Sequence, residues 1–462
     1  MHLRPLLILT CLPLLVSSGG CQTDPYRASL DEMVQPYLDG EYIVGMSIGI
    51  LTPEGRYTYH YGQTRRGEGP PTDRTLYEIG SITKTMTGLL LADGVNRGLY
   101  ELDTPAQTLL RQPVSIDEGI TLRRLSTHTS GLPRMPTNFR PTDPADPYAS
   151  YTEEQLLAYL QDPQMQSRPG SKASYSNLGV GLLGYVLGER EGKTYEALLT
   201  ERVLIPLGMR DTRVTLRDDD LAYMAGPHNP DAEPAHPWTI YTLAGAGGVR
   251  SNIRDMLAYA DAQVDPGSTP LADAIRLSQM VQNQEDGTSV GDPMGLGWFM
   301  VDGGDTLVHG GQTGGFKTTI VIAPQRKQAV ILLTNTTSTS VSRLGQDITR
   351  LVAGVTFEPY APPTPIDLAP QVIKQYTGHY VGLPPGRFVV EQLDGRLYAK
   401  LNNQPTLRLY PQGDDTFLYR AVEARIVFER DDAGAVSKLV LYQNGNAFHC
   451  GRVPQQGDQP EP

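Results

Sequence analysis

Two patterns predict an α+β fold. Strand-like runs stand at both ends of a long segment whose middle is helical in pattern, so one antiparallel sheet flanked by helices encloses an inserted helical region. After a proline-rich stretch come short β-rich runs at about ten-residue spacing, which predict a small C-terminal antiparallel β-barrel.

Taken in order, Ile43–Leu51 alternates Val44, Met46, Ile48 and Ile50 on one face, and Tyr57–Gly62 follows a Thr52-Pro53-Glu54-Gly55 turn, which reads as a β-hairpin. A helix is expected from Ser81 to about Asn96, because Ile82, Met86, Leu89 and Leu90 fall at helical spacing and Gly98 marks a stop. Further helical patterns cover Glu153–Gln161, Leu178–Glu191, Tyr195–Val203 and Asp255–Gln263. Gly131–Ser150, rich in Pro and Asp, reads as a long surface loop. Strands return at Leu296–Asp302, Thr318–Ala323 and Ala329–Asn335, followed by a helix at Ser342–Val352. In the tail, seven runs read as strands: Arg387–Gln392, Arg396–Leu401, Thr406–Tyr410, Thr416–Arg420, Ala424–Glu429, Lys438–Tyr442 and Ala447–Val453. The resulting division is 1–20 leader, 28–354 main domain, 355–366 linker, 367–455 β domain and 456–462 disordered tail.

Composition narrows the function. The formal charge of -12 repels phosphate backbones, so nucleic acid is excluded as a partner. Eight scattered histidines, none four apart, offer no metal-ligand spacing, and the glycine-rich stretch does not match a phosphate-binding loop, so neither metal nor cofactor is expected. The first 20 residues carry a basic start and an apolar run, Pro5–Val16, too short to cross a bilayer, and read as a signal peptide. Ser18-Gly19-Gly20-Cys21 resembles a bacterial lipoprotein processing site. Cys21 is thus the expected lipidation site, and the mature protein is expected in the cell envelope, facing the periplasm or exterior and touching the membrane only through that anchor.

Three motifs bear on chemistry. Ser81-Ile82-Thr83-Lys84 places an amine on the same helical face as a hydroxyl at a helix N-terminus, and a lysine with a lowered pKa can serve as that hydroxyl's base. Tyr175-Ser176-Asn177 offers a proton-transfer phenol and an amide able to hold both the lysine and a substrate carbonyl. His309-Gly310-Gly311-Gln312-Thr313-Gly314-Gly315-Phe316 stands just before a β-run, where glycines let a substrate lie against a strand edge. Each pattern is weak alone: Tyr442-Gln443-Asn444 repeats the second, and glycine-rich segments are usually just loops. Gly45-Met46-Ser47-Ile48-Gly49 matches a nucleophile elbow, but the alternation running through Ser47 places it inside a strand.

In their order and spacing the three motifs resemble the serine β-lactamase and penicillin-binding protein superfamily, specifically its class C-like branch. The segments Leu122–Pro133, Pro169–Thr212 and Gly245–Met256 are similar to the same family, and the tail resembles a lipocalin-like domain carried by some members. The resemblance implies Ser81 as acylated nucleophile, Lys84 as base and Tyr175 as second proton-transfer group. It implies Asn177, His309, Gly311 and Gln312 as substrate-binding, with the N–H groups of Ser81 and Gln312 as oxyanion hole. His309 departs from the lysine usual in the β-lactamases of this branch and brings a mostly neutral ring where a fixed cation would stand. The expected function is an acyl-enzyme serine hydrolase acting on a small-molecule or peptide substrate. A D-amino-acid-containing peptide or peptidoglycan fragment leads, as for a D-Ala-D-Ala carboxypeptidase or D-aminopeptidase. An esterase or weak β-lactamase is the alternative, and a non-catalytic penicillin- or peptidoglycan-binding module a further one.

Overall fold

The computed structural model describes residues 24–453 apart from 286, 383–385 and 414. The expected leader, Cys21 and the tail 456–462 lie outside the described residues.

The main sheet has six antiparallel strands: β1 (Gly45–Thr52), β2 (Gly55–Gly62), β3 (Phe299–Val301), β4 (Thr306–Gln312), β5 (Lys317–Ala323) and β6 (Gln328–Thr334), in the order β2-β1-β6-β5-β4-β3. The two ends of the domain meet where β1 pairs with β6, Met46 opposite Thr334, as the terminal strand patterns imply. Helices α1 (Arg27–Asp39), α2 (Thr83–Asn96), α3 (Asn177–Glu191), α4 (Ile253–Val264) and α5 (Val341–Val352) account for most of the longer helical turns. On one sheet face, α1 and α5 bury Leu30, Val34, Leu344 and Ile348 against Met46, Ile48, Ile50 and Leu332. On the other lies the larger core, with α2, α3 and α4. Helix α4 packs so closely on β1 that a Cβ at Gly49 would stand 2.9 Å from the Ile253 Cδ1. With both faces covered, β1 is buried along its whole length, as central strands are.

Two readings need correction. The α-helix expected from Ser81 begins at Thr83; Gly80–Ile82 forms a 3₁₀ turn ahead of it, a common way for a helix to start. His309–Gln312 is not a loop before a strand but the end of β4 itself. Its glycines hide the β pattern and are there for steric reasons, since a Cβ on Gly311 would lie 2.0 Å from the Ile79 carbonyl oxygen. As expected of a surface loop, Gly131–Ser150 has no helix or strand and runs largely exposed, with Leu132 and Asp146 buried as anchors.

The C-terminal unit is a closed barrel of eight antiparallel strands, one more than the sequence shows. The added strand, Gly378–Gly382, pairs with both Gly386–Leu393 and Asn446–Val453 and so closes the ring. Its core holds Tyr380, Phe388, Phe417, Phe428 and the free thiol Cys450.

Candidate active site

Ser81 sits at the tip of the 3₁₀ turn, where α2 brings up Lys84 one turn later. The Lys84 Nζ lies 2.9 Å from Ser81 Oγ, 3.0 Å from Asn177 Oδ1 and 2.5 Å from the Ala246 carbonyl oxygen. Burial, and next the charge of Arg134, hold the Lys84 pKa well below the usual lysine range, so the amine is favoured in its neutral form. A neutral amine has two N–H donors and one lone pair. Asn177 Oδ1 and Ala246 O can only accept and take both donors, which leaves the lone pair for the Ser81 O–H. The asparagine orientation is fixed independently, because its Nδ2 donates to the Tyr148 hydroxyl at 3.1 Å.

The Tyr175 hydroxyl donates to Ser81 Oγ at 2.7 Å. Burial pushes its pKa up to about 12, so it is a phenol rather than a phenolate near neutrality. Asn177 opens α3, and the Ser176 hydroxyl caps that helix by accepting the Gly179 N–H. Tyr175 is thereby held on the extended segment just before a rigid helix. Its ring packs on His128, 4.4 Å between centroids, and His128 Nδ1 accepts the Ser176 N–H at 3.1 Å.

Strand β4 forms another wall. Its pairing with β3 stops at Val308, so beyond that point the edge of β4 faces the Ser81 turn. The approach requires Gly80, whose φ is +50° and whose Cβ, if present, would stand 2.7 Å from the Gln312 nitrogen. Gln312, Thr313, Tyr148, Trp238, Ile240 and Gly247 line the cleft with Ser81 and Asn177, around a cavity of about 20 Å³, room for one water.

The structure therefore brings Ser81, Lys84, Tyr175, Asn177 and Gln312 together, with Gly311 as the spacer that lets β4 come close. His309 lies at the same end of β4, behind Phe299, which also packs on Tyr175. It is buried against Phe299, 5.3 Å between ring centroids, and its Nδ1 donates to the Gly310 carbonyl at 2.8 Å. Burial lowers its pKa to about 3, so the ring is neutral. Sequence reasoning missed Tyr148, Trp238 and His128. The first two come from segments without periodicity, and an aromatic residue inside a Pro- and Asp-rich stretch was the available signal. Among the described residues no group of three or more His, Cys, Asp or Glu side chains is placed to hold a metal ion.

The Ser47 alternative has unexpected geometry. Its hydroxyl lies 3.0 Å from His60 Nδ1, whose Nε2 lies 3.0 Å from Asp73 Oδ1, a serine–histidine–aspartate chain in outline. Ser47 is nevertheless fully buried inside β1 and also shares a hydrogen bond with the Tyr77 hydroxyl, so no substrate reaches it.

Residues 30–354 match the family model described as Beta-lactamase. This chain belongs to the beta-lactamase family. A beta-lactamase-family relative, the D-alanyl-D-alanine-carboxypeptidase/endopeptidase AmpH of Escherichia coli K12, is 30% identical over 354 residues, 71% of this chain and 90% of that protein. A Beta-lactamase of Providencia stuartii is 31% identical over 237 residues, covering 51% of this chain and 59% of that protein. A Beta-lactamase of Pseudomonas fluorescens is 26% identical, covering 67% of this chain and 93% of that protein. The superfamily and class C-like branch expected from the motifs are borne out, and the chain is a serine hydrolase of the β-lactamase fold.

Proposed function

We propose that this enzyme hydrolyses an amide or ester through an acyl-enzyme on Ser81, with D-amino-acid-containing peptides of cell-wall type as its substrates. One observation carries the reading. The hydrogen-bond partners of Lys84 leave its only lone pair for the Ser81 hydroxyl, which is what a base for that hydroxyl requires. Lys84 takes the serine proton as Oγ attacks the carbonyl, and the oxyanion is received by the backbone N–H groups of Ser81 and Gln312. Tyr175 gives its proton to the leaving nitrogen or oxygen, and the proton gained by Lys84 then returns to the tyrosinate. Water attacks the acyl-enzyme by the same route in reverse, losing its proton to the base while Ser81 departs with one. The similarity to AmpH across 90% of that protein supports the peptide class.

An esterase is the second reading, favoured by the neutral ring of His309 where a cation is usual in the β-lactamases of this branch. We also propose that residues 1–20 are removed and Cys21 lipidated, which the mass of the mature N-terminus from fractionated cells tests.

The deciding experiment is a panel of D-peptides, short-chain esters and a chromogenic β-lactam, with intact mass of the trapped adduct. Turnover of D-peptides with an adduct on Ser81, absent in Ser81→Ala, is expected. Equal labelling of Ser81→Ala would overturn the mechanism, and turnover of esters alone would favour the second reading.

A further inference from the structure

We propose that Arg134 recognises a carboxylate on the leaving side of the substrate, so that the preferred substrate is a peptide with a free C-terminal carboxylate. This rests on the serine hydrolase reading above and decides, within it, for carboxypeptidase over aminopeptidase or neutral-ester action.

The cations around the cleft are unequal. Lys84 is buried and has three partners. Arg250 is committed to Glu78 and to the carbonyls of Val214 and Trp238. Lys317 is half-buried and donates to the Gln312 side chain at 2.9 Å. His309, where a fixed cation would meet a substrate anion, is buried, packed on Phe299 and bonded through Nδ1 to the Gly310 carbonyl. Arg134 differs from all of these. Its side chain is exposed, and among the described residues its guanidinium makes no hydrogen bond or ion pair.

Its backbone, by contrast, is fixed. The Arg134 carbonyl accepts the N–H groups of both Asn177 and Leu178, which pins the residue to the start of α3 beside the site. The guanidinium carbon lies 5.2 Å from the centroid of the Tyr175 ring, and the hydroxyl of that ring touches Ser81 Oγ. If Tyr175 protonates the leaving group, the leaving nitrogen sits at that hydroxyl, and Arg134 stands on the leaving side. In an amino-acid leaving group the carboxylate carbon is two bonds, about 2.5 Å, from that nitrogen. A free guanidinium stacked on the same tyrosine is within side-chain reach of it and offers a planar fork matched to a carboxylate.

The opposite sign is not provided for. An aminopeptidase needs an anion for the substrate ammonium, but Glu78 is buried and paired with Arg250, and the buried Asp146 accepts the Thr239 N–H.

The test compares N-acyl-D-Ala-D-Ala with its C-terminal amide, read both as kcat/KM and as protection of Ser81 from a fluorescent fluorophosphonate. The wild type is expected to prefer the acid by at least about tenfold. Arg134→Gln should bring that ratio close to one, and Arg134→Lys should recover part of it. Lys317→Gln, the control for the neighbouring cation, should keep the preference. A ratio unchanged in Arg134→Gln, or lost only in Lys317→Gln, overturns the proposal while Ser81 still labels. Failure of Ser81 to label at all overturns the hydrolase reading and this inference with it.

Discussion

Arg420 of the barrel donates a hydrogen bond to the carbonyl of Gly40, the residue that ends helix α1 of the main domain. Its other terminal nitrogen donates to the Glu41 carbonyl at 2.9 Å, and its guanidinium lies between the rings of Tyr42 and Tyr410, at 4.3 and 3.9 Å. A cation at a helix C-terminus meets the negative end of the helix dipole, and here it also joins two folding units. Arg420→Ala should destabilise the protein by about 3 kcal/mol, from lost charged hydrogen bonds and cation–π contacts. Calorimetry should then resolve separate melting of barrel and main domain; a single unshifted transition would contradict this.

The barrel also touches the loop that carries Trp238. Tyr410 donates to Asp231 Oδ1 at 2.7 Å, and Arg396 pairs with Glu233 at 3.4 Å. The barrel therefore braces a wall of the site. Tyr410→Phe should raise KM roughly twofold to fivefold with a smaller change in kcat, since a loosened loop must be ordered by substrate. Steady-state kinetics check this, and an unchanged KM would count against bracing.

Because only the neutral amine can take the Ser81 proton, acylation should rise with pH through the Lys84 pKa and level off below the ordinary lysine range. Lys84→Arg should lower the labelling rate by about 10³-fold, as arginine stays charged at every working pH. Stopped-flow labelling from pH 5 to 10 measures both effects.

His309 makes the fold sensitive to acid. Its folded pKa of about 3 lies below the ordinary 6.5, so between those values the unfolded chain binds a proton that the folded chain refuses. Stability must fall as pH drops across that window, by about 1.4 kcal/mol for each pH unit from this one group. The buried His128 acts in the same direction. Denaturant midpoints at pH 7 and pH 4.5 should differ less in His309→Asn than in the wild type; parallel pH dependence would refute the assignment.

Ser47→Ala should retain hydrolytic activity, whereas Ser81→Ala should lose it. The cost at Ser47 is stability, about 1–2 kcal/mol, because the hydroxyl joins the buried Tyr77 to His60. Thermal melts and the substrate panel separate the two serines.

The legible part of the site was the part encoded locally. Ser81 and Lys84 share a helical face by spacing alone, and Asn177 opens a helix that the sequence shows clearly. Tyr148 and Trp238 arrive by tertiary packing of irregular segments, which has no period to read. His128 adopts a positive φ of 59°, a conformation uncommon outside glycine that no periodicity signals. In the fold, α1 buries Leu30, Met33, Val34 and Tyr37 at helical spacing but carries Pro36 in its last turn, and the strand Gly378–Gly382 is short and bounded by glycines, local signals that read as breaks. The central hairpin announced itself through its alternation, and the barrel runs through β-rich segments and turn signals at about ten-residue spacing.

The pairing of Met46 with Thr334 also orders events during synthesis. The opening hairpin leaves the ribosome early but gains its central partner only when β6 emerges, after the whole helical insert has been made. Contacts so distant in sequence form slowly and leave strand edges unpaired in the interval. Ser81, Lys84 and Tyr175 are all translated well before that moment, so the nascent chain carries its reactive groups before it has the sheet that aligns them.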